Sequence, residues 1–237
     1  MSADTGKPGQ RWLLLHGTPL RPWVWSAVSS HPPGEVWAPD VTPAPHTAGP
    51  QRHLAERIIA QARQRDERWN VVGHSFGGQI ALEMASAAAD VVDGLIIICS
   101  RDTPFPSFAA AADSLDAGNP IDLDSALHRR FRPAEIADHP TFIEDVATEL
   151  RSADRQSWAT ALRGIADFDL TAQVAGISAP ATVIAAEYDP VGTPEAMREL
   201  ADRLPVAEFR LLPDAAHMSP FLDPARFAAL ITGRDRT

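Results

Sequence analysis

Gly73-His74-Ser75-Phe76-Gly77-Gly78 is the stretch from which the rest of this 237-residue chain is best read. It follows a short apolar run, Trp69–Val72, and precedes a small, apolar segment of helical period, Gln79–Ala89. Strand, tight turn and helix around G-x-S-x-G make an elbow that lifts a serine hydroxyl above the end of a sheet. The glycines have a steric reason: a serine on such a turn has a strained backbone, and side chains two residues before and two after it would collide. Gly73 and Gly77 therefore point to Ser75 as a candidate nucleophile.

Working outward, short apolar runs alternate with longer amphipathic segments, the pattern of a mostly parallel sheet covered by helices. The predicted strands are Trp12–Leu15, Val36–Ala38, Trp69–Val72, Leu95–Ile98, Thr182–Ala186 and Glu208–Leu212, read as buried on both faces. Gln51–Arg65 reads as an amphipathic helix with Leu54, Ile58, Ile59 and Ala62 on its apolar face. The gap between Ile98 and Thr182 is much longer than the earlier spacings, so one crossover carries an insertion. Residues 101–164 form that insertion, with helical stretches at Asp124–Phe131, Thr141–Arg151 and Gln156–Ile165 separated by prolines. The fold class is α/β: a six-stranded sheet whose core takes residues 1–100 and 165–237, with 101–164 as a helical cap.

Composition sets outer limits. Lys and Arg number 21 against 31 Asp and Glu, a net charge of −10. That balance argues against a nucleic-acid or anionic-membrane surface. Cys99 is the single cysteine, which excludes an internal disulfide or a multi-cysteine zinc site. Residues 1–10 are polar with no apolar signal core, and no apolar run approaches the roughly 18 residues of a membrane helix, so a cytoplasmic protein is expected.

A serine hydroxyl needs a base, and the base needs an orienting group, in the chain order Ser, acid, His for this elbow type. Of eight histidines, His74 adjoins the serine and should point away from it, and His16 precedes it. His31, His46, His53, His128 and His139 read as solvated. His217 remains, in a loop after the last strand, where α/β sites are built. Asp189 leaves the preceding strand in the same way, with Asp102, after Leu95–Ile98, as the alternative acid. The oxyanion donors should be backbone N–H groups of Phe76, after the nucleophile, and Thr18, after the first strand.

On these pieces, LLLHGTP, the W-x-x-V segment Trp25–Val28, VVGHSFGG, ATVIAAEYDPVGTP and DAAHMSPFLDPARFAALI, the chain resembles the α/β-hydrolase superfamily across residues 11–232. The resemblance implies Ser75 as nucleophile, His217 as general base and acid, Asp189 as its orienter, and a helical cap. Two departures stand out. The family's N-terminal antiparallel hairpin has no room in residues 1–10, so the sheet should be trimmed to six strands, all parallel. Val41-Thr42-Pro43-Ala44-Pro45 replaces the Gly-x-Gly-x-Ser turn common after the strand ending in Asp40. Serine at the elbow argues against the epoxide-hydrolase and haloalkane-dehalogenase branches, which use aspartate there.

The expected activity is cofactor-independent, metal-free hydrolysis of a small-molecule carboxylic ester, thioester or lactone. Carbon–carbon bond hydrolysis or a lyase reaction on the same three residues, and a non-catalytic small-molecule-binding role, stay open. Of the cap's large apolar residues, Trp158 and Phe131 are candidate substrate contacts. The cationic cluster Arg129, Arg130 and Arg132 reads as a solvated face at a helix end, so a small to medium uncharged acyl group is expected. The sequence does not speak to oligomeric state.

Overall fold

The computed structural model describes residues 9–233. The polar segment 1–8 and the ends of the expected core lie outside the described residues. Six strands form one sheet: β1 Arg11–Leu15, β2 Glu35–Trp37, β3 Trp69–His74, β4 Val92–Ile98, β5 Ala181–Ala186 and β6 Ala207–Leu212. Their order is β2-β1-β3-β4-β5-β6, and every pair is parallel. Central strands β3 and β4 are near-continuous apolar runs because helices cover the sheet and leave no polar face. The expectation of burial on both faces fails at the two edge strands, β2 and β6. β2 pairs only with β1 and has no fully buried residue, and β6 pairs only with β5 and is largely exposed, with Leu211 at 44%. An edge strand has one neighbour, and its outer side chains meet water.

Helix α1, Pro50–Gln64, buries Leu54, Ile58, Ile59 and Ala62 as the 3.6-residue period requires. Fully burying each of the three larger side chains contributes roughly 1.5–3 kcal/mol, so Ile58→Asp would undo the helix's docking. Helix α2, Phe76–Ala87, packs against α1, β1, β3 and β4, and nearly all of its residues are buried. The close approach depends on glycine. A Cβ on Gly73 would lie 2.3 Å from the Gly77 carbonyl oxygen, and one on Gly77 would lie 2.2 Å from that of Leu15. The collisions that these glycines avoid are thus with the backbones of α2 and β1.

The crossover from β4 to β5 carries α3 Ser107–Asp116, α4 Leu123–His128, α5 Pro133–Asp138, α6 Pro140–Ser152, α7 Arg155–Asp167 and the short α8 Thr171–Val174. Pro133 and Pro140 occupy the first turns of α5 and α6. Proline lacks only an N–H that the first turn leaves unpaired anyway, so these prolines start helices as well as separate them. Asp122 caps α4 and Asp154 caps α7 through the N–H groups of Ser125 and Ser157. Helix α3 packs on α7, and α7 touches α1. After β5, α9 Pro194–Arg203 packs on β5 and β6, and α10 Pro224–Ile231 ends the described fold.

The strand order reverses direction between β1 and β3. Crevices at such a switch point, outside the carboxyl ends of the strands, are where open α/β sheets bind ligands. Thr18 follows β1 and Ser75 follows β3, so both border that crevice.

Candidate active site

Ser75 has φ 55° and ψ −121°, a left-handed conformation that costs a non-glycine residue free energy and persists only where its surroundings enforce it. They do so through hydrogen bonds on both sides of the residue. Ser75 N–H donates to the Ile98 carbonyl at 2.9 Å, and the Ser75 carbonyl accepts from Gly78 N–H at 2.8 Å and from the Ser100 hydroxyl at 2.7 Å. The backbone is committed on both sides, and the side chain lines a cavity of about 460 Å³. That volume suits a small organic ligand.

His217 lines the same cavity. Its Nδ1 lies 2.9 Å from Asp189 Oδ2, with both residues buried. A carboxylate can only accept, so Nδ1 carries the proton and Nε2 keeps its lone pair. The other Asp189 oxygen accepts from Val191 N–H at 2.8 Å. Burial alone would raise the Asp189 carboxyl, but the charge and hydrogen bond of His217, with the Val191 N–H, outweigh it and hold the pKa below the usual value. Asp189 therefore stays ionised beside His217.

The alternative acid has a different partner. Asp102 is fully buried and takes two hydrogen bonds from Arg203, at 2.8 and 2.7 Å. Its bidentate ion pair ties the β4 exit to α9 and leaves it no histidine to orient.

His74 turns away from the cavity, as the sequence suggests, but it is not idle. Its Nε2–H donates to the His217 carbonyl at 2.9 Å, and the two rings lie 4.7 Å apart. Burial first, then the charge of His217, lowers its pKa to about 3, so it is neutral. Its Nδ1 is buried without a partner among the described residues. Ligand atoms of His74, Cys99 and His217 lie within 4.8 Å of one another, yet His74 Nε2 and His217 Nδ1 are already engaged.

His16 is also buried. Its Nε2 accepts from Val41 N–H at 2.9 Å, which ties the Val41–Pro45 segment back to the loop after β1. The five histidines read as solvated, His31, His46, His53, His128 and His139, are all exposed.

Thr18 lines the cavity, and Phe76 begins α2 directly after Ser75. Among the described residues neither N–H donates a hydrogen bond. A helix's first N–H groups have no intrahelical partner, so Phe76 N–H is available to an oxygen.

Above this floor the cavity wall is mostly apolar, with Phe105, Phe108, Leu115, Trp158 and Leu162 from the β4–β5 crossover. Trp158 is thus a cavity residue. Phe131 is not: it is 1% exposed and meets Phe142 edge-on, with ring centroids 6.2 Å apart. The expectation for Phe131 is corrected by packing, since burial against a second aromatic ring removes it from the cavity wall. The arginine cluster also divides. Arg132 pairs with Asp214, whereas Arg129 and Arg130 line the cavity, so the reading of all three as one solvated face does not hold. Among the described residues, no helix is long and apolar enough to cross a membrane.

Comparison with known proteins adds to this geometry. A Pseudomonas syringae pv. syringae protein with the provisional name carbamate hydrolase RutD is 27% identical over 198 residues, 80% of this chain and 75% of the relative. The 3-oxoadipate enol-lactonase 1 of Acinetobacter baylyi is 26% identical over 174 residues, 70% of this chain and 64% of that enzyme. Among solved structures, a thermophilic esterase from Thermogutta terrifontis superposes with a TM-score of 0.84 at 25% identity, covering 95% of this chain and 89% of the other. The profile of the alpha/beta hydrolase family matches residues 12–230. With the all-parallel sheet and the serine elbow after β3, that match identifies the chain as a member of the alpha/beta hydrolase family.

Proposed function

We propose that the protein is a serine hydrolase that cleaves a small to medium carboxylic ester, thioester or lactone through an acyl-enzyme. The observation that carries this reading is one cavity bordered by the strained Ser75 elbow and by His217, whose Nδ1 proton is held by Asp189. The named activities of the relatives, ester, lactone and carbamate hydrolysis, are all acyl transfers to water and agree with it.

The steps follow from the tautomer. His217 Nε2 takes the Ser75 hydroxyl proton as Oγ bonds to the acyl carbon, and the carbonyl electron pair moves onto oxygen. The Thr18 and Phe76 N–H groups stabilise that oxyanion. Collapse of the tetrahedral intermediate breaks the bond to the leaving oxygen or sulfur, which takes the proton from His217. Water then repeats the sequence on the acyl-enzyme, releases the acid and restores Ser75. Throughout, Asp189 remains ionised and holds the imidazolium in register.

Turnover of p-nitrophenyl acetate by wild type, Ser75→Ala and His217→Ala tests the reading. Each variant should lose about 10⁴–10⁶-fold in kcat with unfolding unchanged, because the members act as one unit. Activity within tenfold of wild type in either variant would refute it.

A further inference from the structure

Arg130 stands out among the cavity residues. Half-buried, it follows α4, and its Nη1 donates to the Ala126 carbonyl at 2.8 Å. Its own carbonyl accepts from Met218 N–H at 2.9 Å, which fixes its backbone to the residue after His217. Neighbouring cations have acidic company: Arg132 pairs with Asp214, and Arg129 acts electrostatically on Asp122. Asp122 is the acid in the cavity wall, but its oxygens are taken by Ser125 in capping α4. Among the described residues no carboxylate lies within ion-pair distance of Arg130. Burial first, then the like charge of Arg129, lowers its pKa to about 10, so it is still charged at neutral pH.

A guanidinium that faces an apolar cavity without a counter-ion loses hydration and gains little in return, unless an anion arrives with the ligand. We propose that Arg130 binds a carboxylate carried by the substrate, so that the preferred substrates are esters or lactones with a free carboxylate elsewhere in the molecule. A planar guanidinium with one donor already spent on Ala126 still has a fork of donors that matches a carboxylate. A single cavity-facing cation without an acidic neighbour suits a monoanion better than a phosphate dianion. This inference rests on the hydrolase reading for its substrate class, and it replaces the expectation of an uncharged acyl group.

The test compares isosteres. Monomethyl succinate, glutarate and adipate are each paired with the corresponding ω-amide methyl ester, and kcat/KM is measured for wild type, Arg130→Gln, Arg130→Lys and Arg129→Gln. Wild type should favour the carboxylate of at least one pair by about 10–100-fold, the range of a charge-assisted hydrogen bond. Arg130→Gln should reduce that ratio to near one, Arg130→Lys should keep part of it, and Arg129→Gln should keep most of it. The ratio cancels losses common to both esters, and thermal unfolding of each variant shows that it folds. Calorimetry of glutarate binding to Ser75→Ala, with and without Arg130→Gln, reads the anion site without turnover. Arg130-dependent binding without ester hydrolysis would uphold the anion site and refute the hydrolase reading. Hydrolysis with no carboxylate preference, or a preference abolished by Arg129→Gln and kept in Arg130→Gln, would overturn the assignment of Arg130.

Discussion

Asp102 and Asp189 leave neighbouring strands, β4 and β5, at the same end of the sheet, and both are buried. Asp102 meets Arg203, a permanent cation, through two short hydrogen bonds, and its charge is neutralised by a group that keeps its protons. Asp189 meets His217, an imidazole that lines the cavity. Burial is common to both; the partner separates a bidentate guanidinium pair that ties the β4 exit to α9 from a carboxylate–imidazole pair at the cavity. What distinguishes the proposed reaction site is the second residue of the pair.

The sharpest way to break this contrast is to neutralise each acid in turn. Asp189→Asn should lower kcat by about 10³–10⁴-fold, because an amide no longer selects the Nδ1–H tautomer. Asp102→Asn should stay within about tenfold of wild-type turnover but lose about 2–4 kcal/mol of stability, since it breaks a bidentate pair at a buried carboxylate and leaves Arg203 only the longer contact with Glu199. Steady-state kinetics and urea unfolding of both variants decide the matter, and an exchange of the two outcomes would invert the assignment.

A smaller effect probes Thr18, which lines the cavity and whose backbone N–H is a proposed oxyanion donor. Thr18→Pro removes the donor and should cost about 10²–10³-fold in kcat, while Thr18→Ala keeps it and should change little. Equal losses in both variants, with folding checked by circular dichroism, would assign the role to the hydroxyl instead.

The smallest effect concerns His74, the neutral neighbour of the Asp189–His217 pair. Its pKa falls from 6.5 to about 3 on folding, so between those values the unfolded chain binds the proton and the folded one does not. Stability should be intact above about pH 6.5 and decline as pH falls toward 3, by on the order of 4 kcal/mol from this residue. Stability measured against pH in wild type and His74→Gln checks the sign. A variant that keeps the wild-type slope across that window would show that His74 does not cause it.

The parts legible in the sequence are those fixed by local geometry. A serine elbow needs glycines at fixed offsets, and loops after parallel strands share one end of the sheet, so the positions of Ser75, Asp189 and His217 in the fold were readable from order and spacing. The strand positions followed from apolar runs, and β6 misled because an edge strand there carries enough apolar residues to resemble a buried one. Cavity residues were harder, since they depend on how short helices between β4 and β5 pack. Phe131 and Trp158 are similar in sequence terms, yet one turns into an aromatic contact and the other into the cavity. Arg130 and Arg132 are two residues apart, yet Arg130 follows α4 and lines the cavity while Arg132 caps α5 and pairs with Asp214. The Ala-rich run Ala109–Ala112 was a usable signal for α3, given alanine's high helix propensity.

The most direct measurement is the rate and site of phosphonylation by a fluorophosphonate, mapped by peptide mass spectrometry in wild type, Asp189→Asn and Asp102→Asn. A single adduct on Ser75 is expected, formed far more slowly in Asp189→Asn and at a near wild-type rate in Asp102→Asn. An adduct elsewhere, none at all in wild type, or slow labelling in Asp102→Asn with Asp189→Asn unaffected would contradict it.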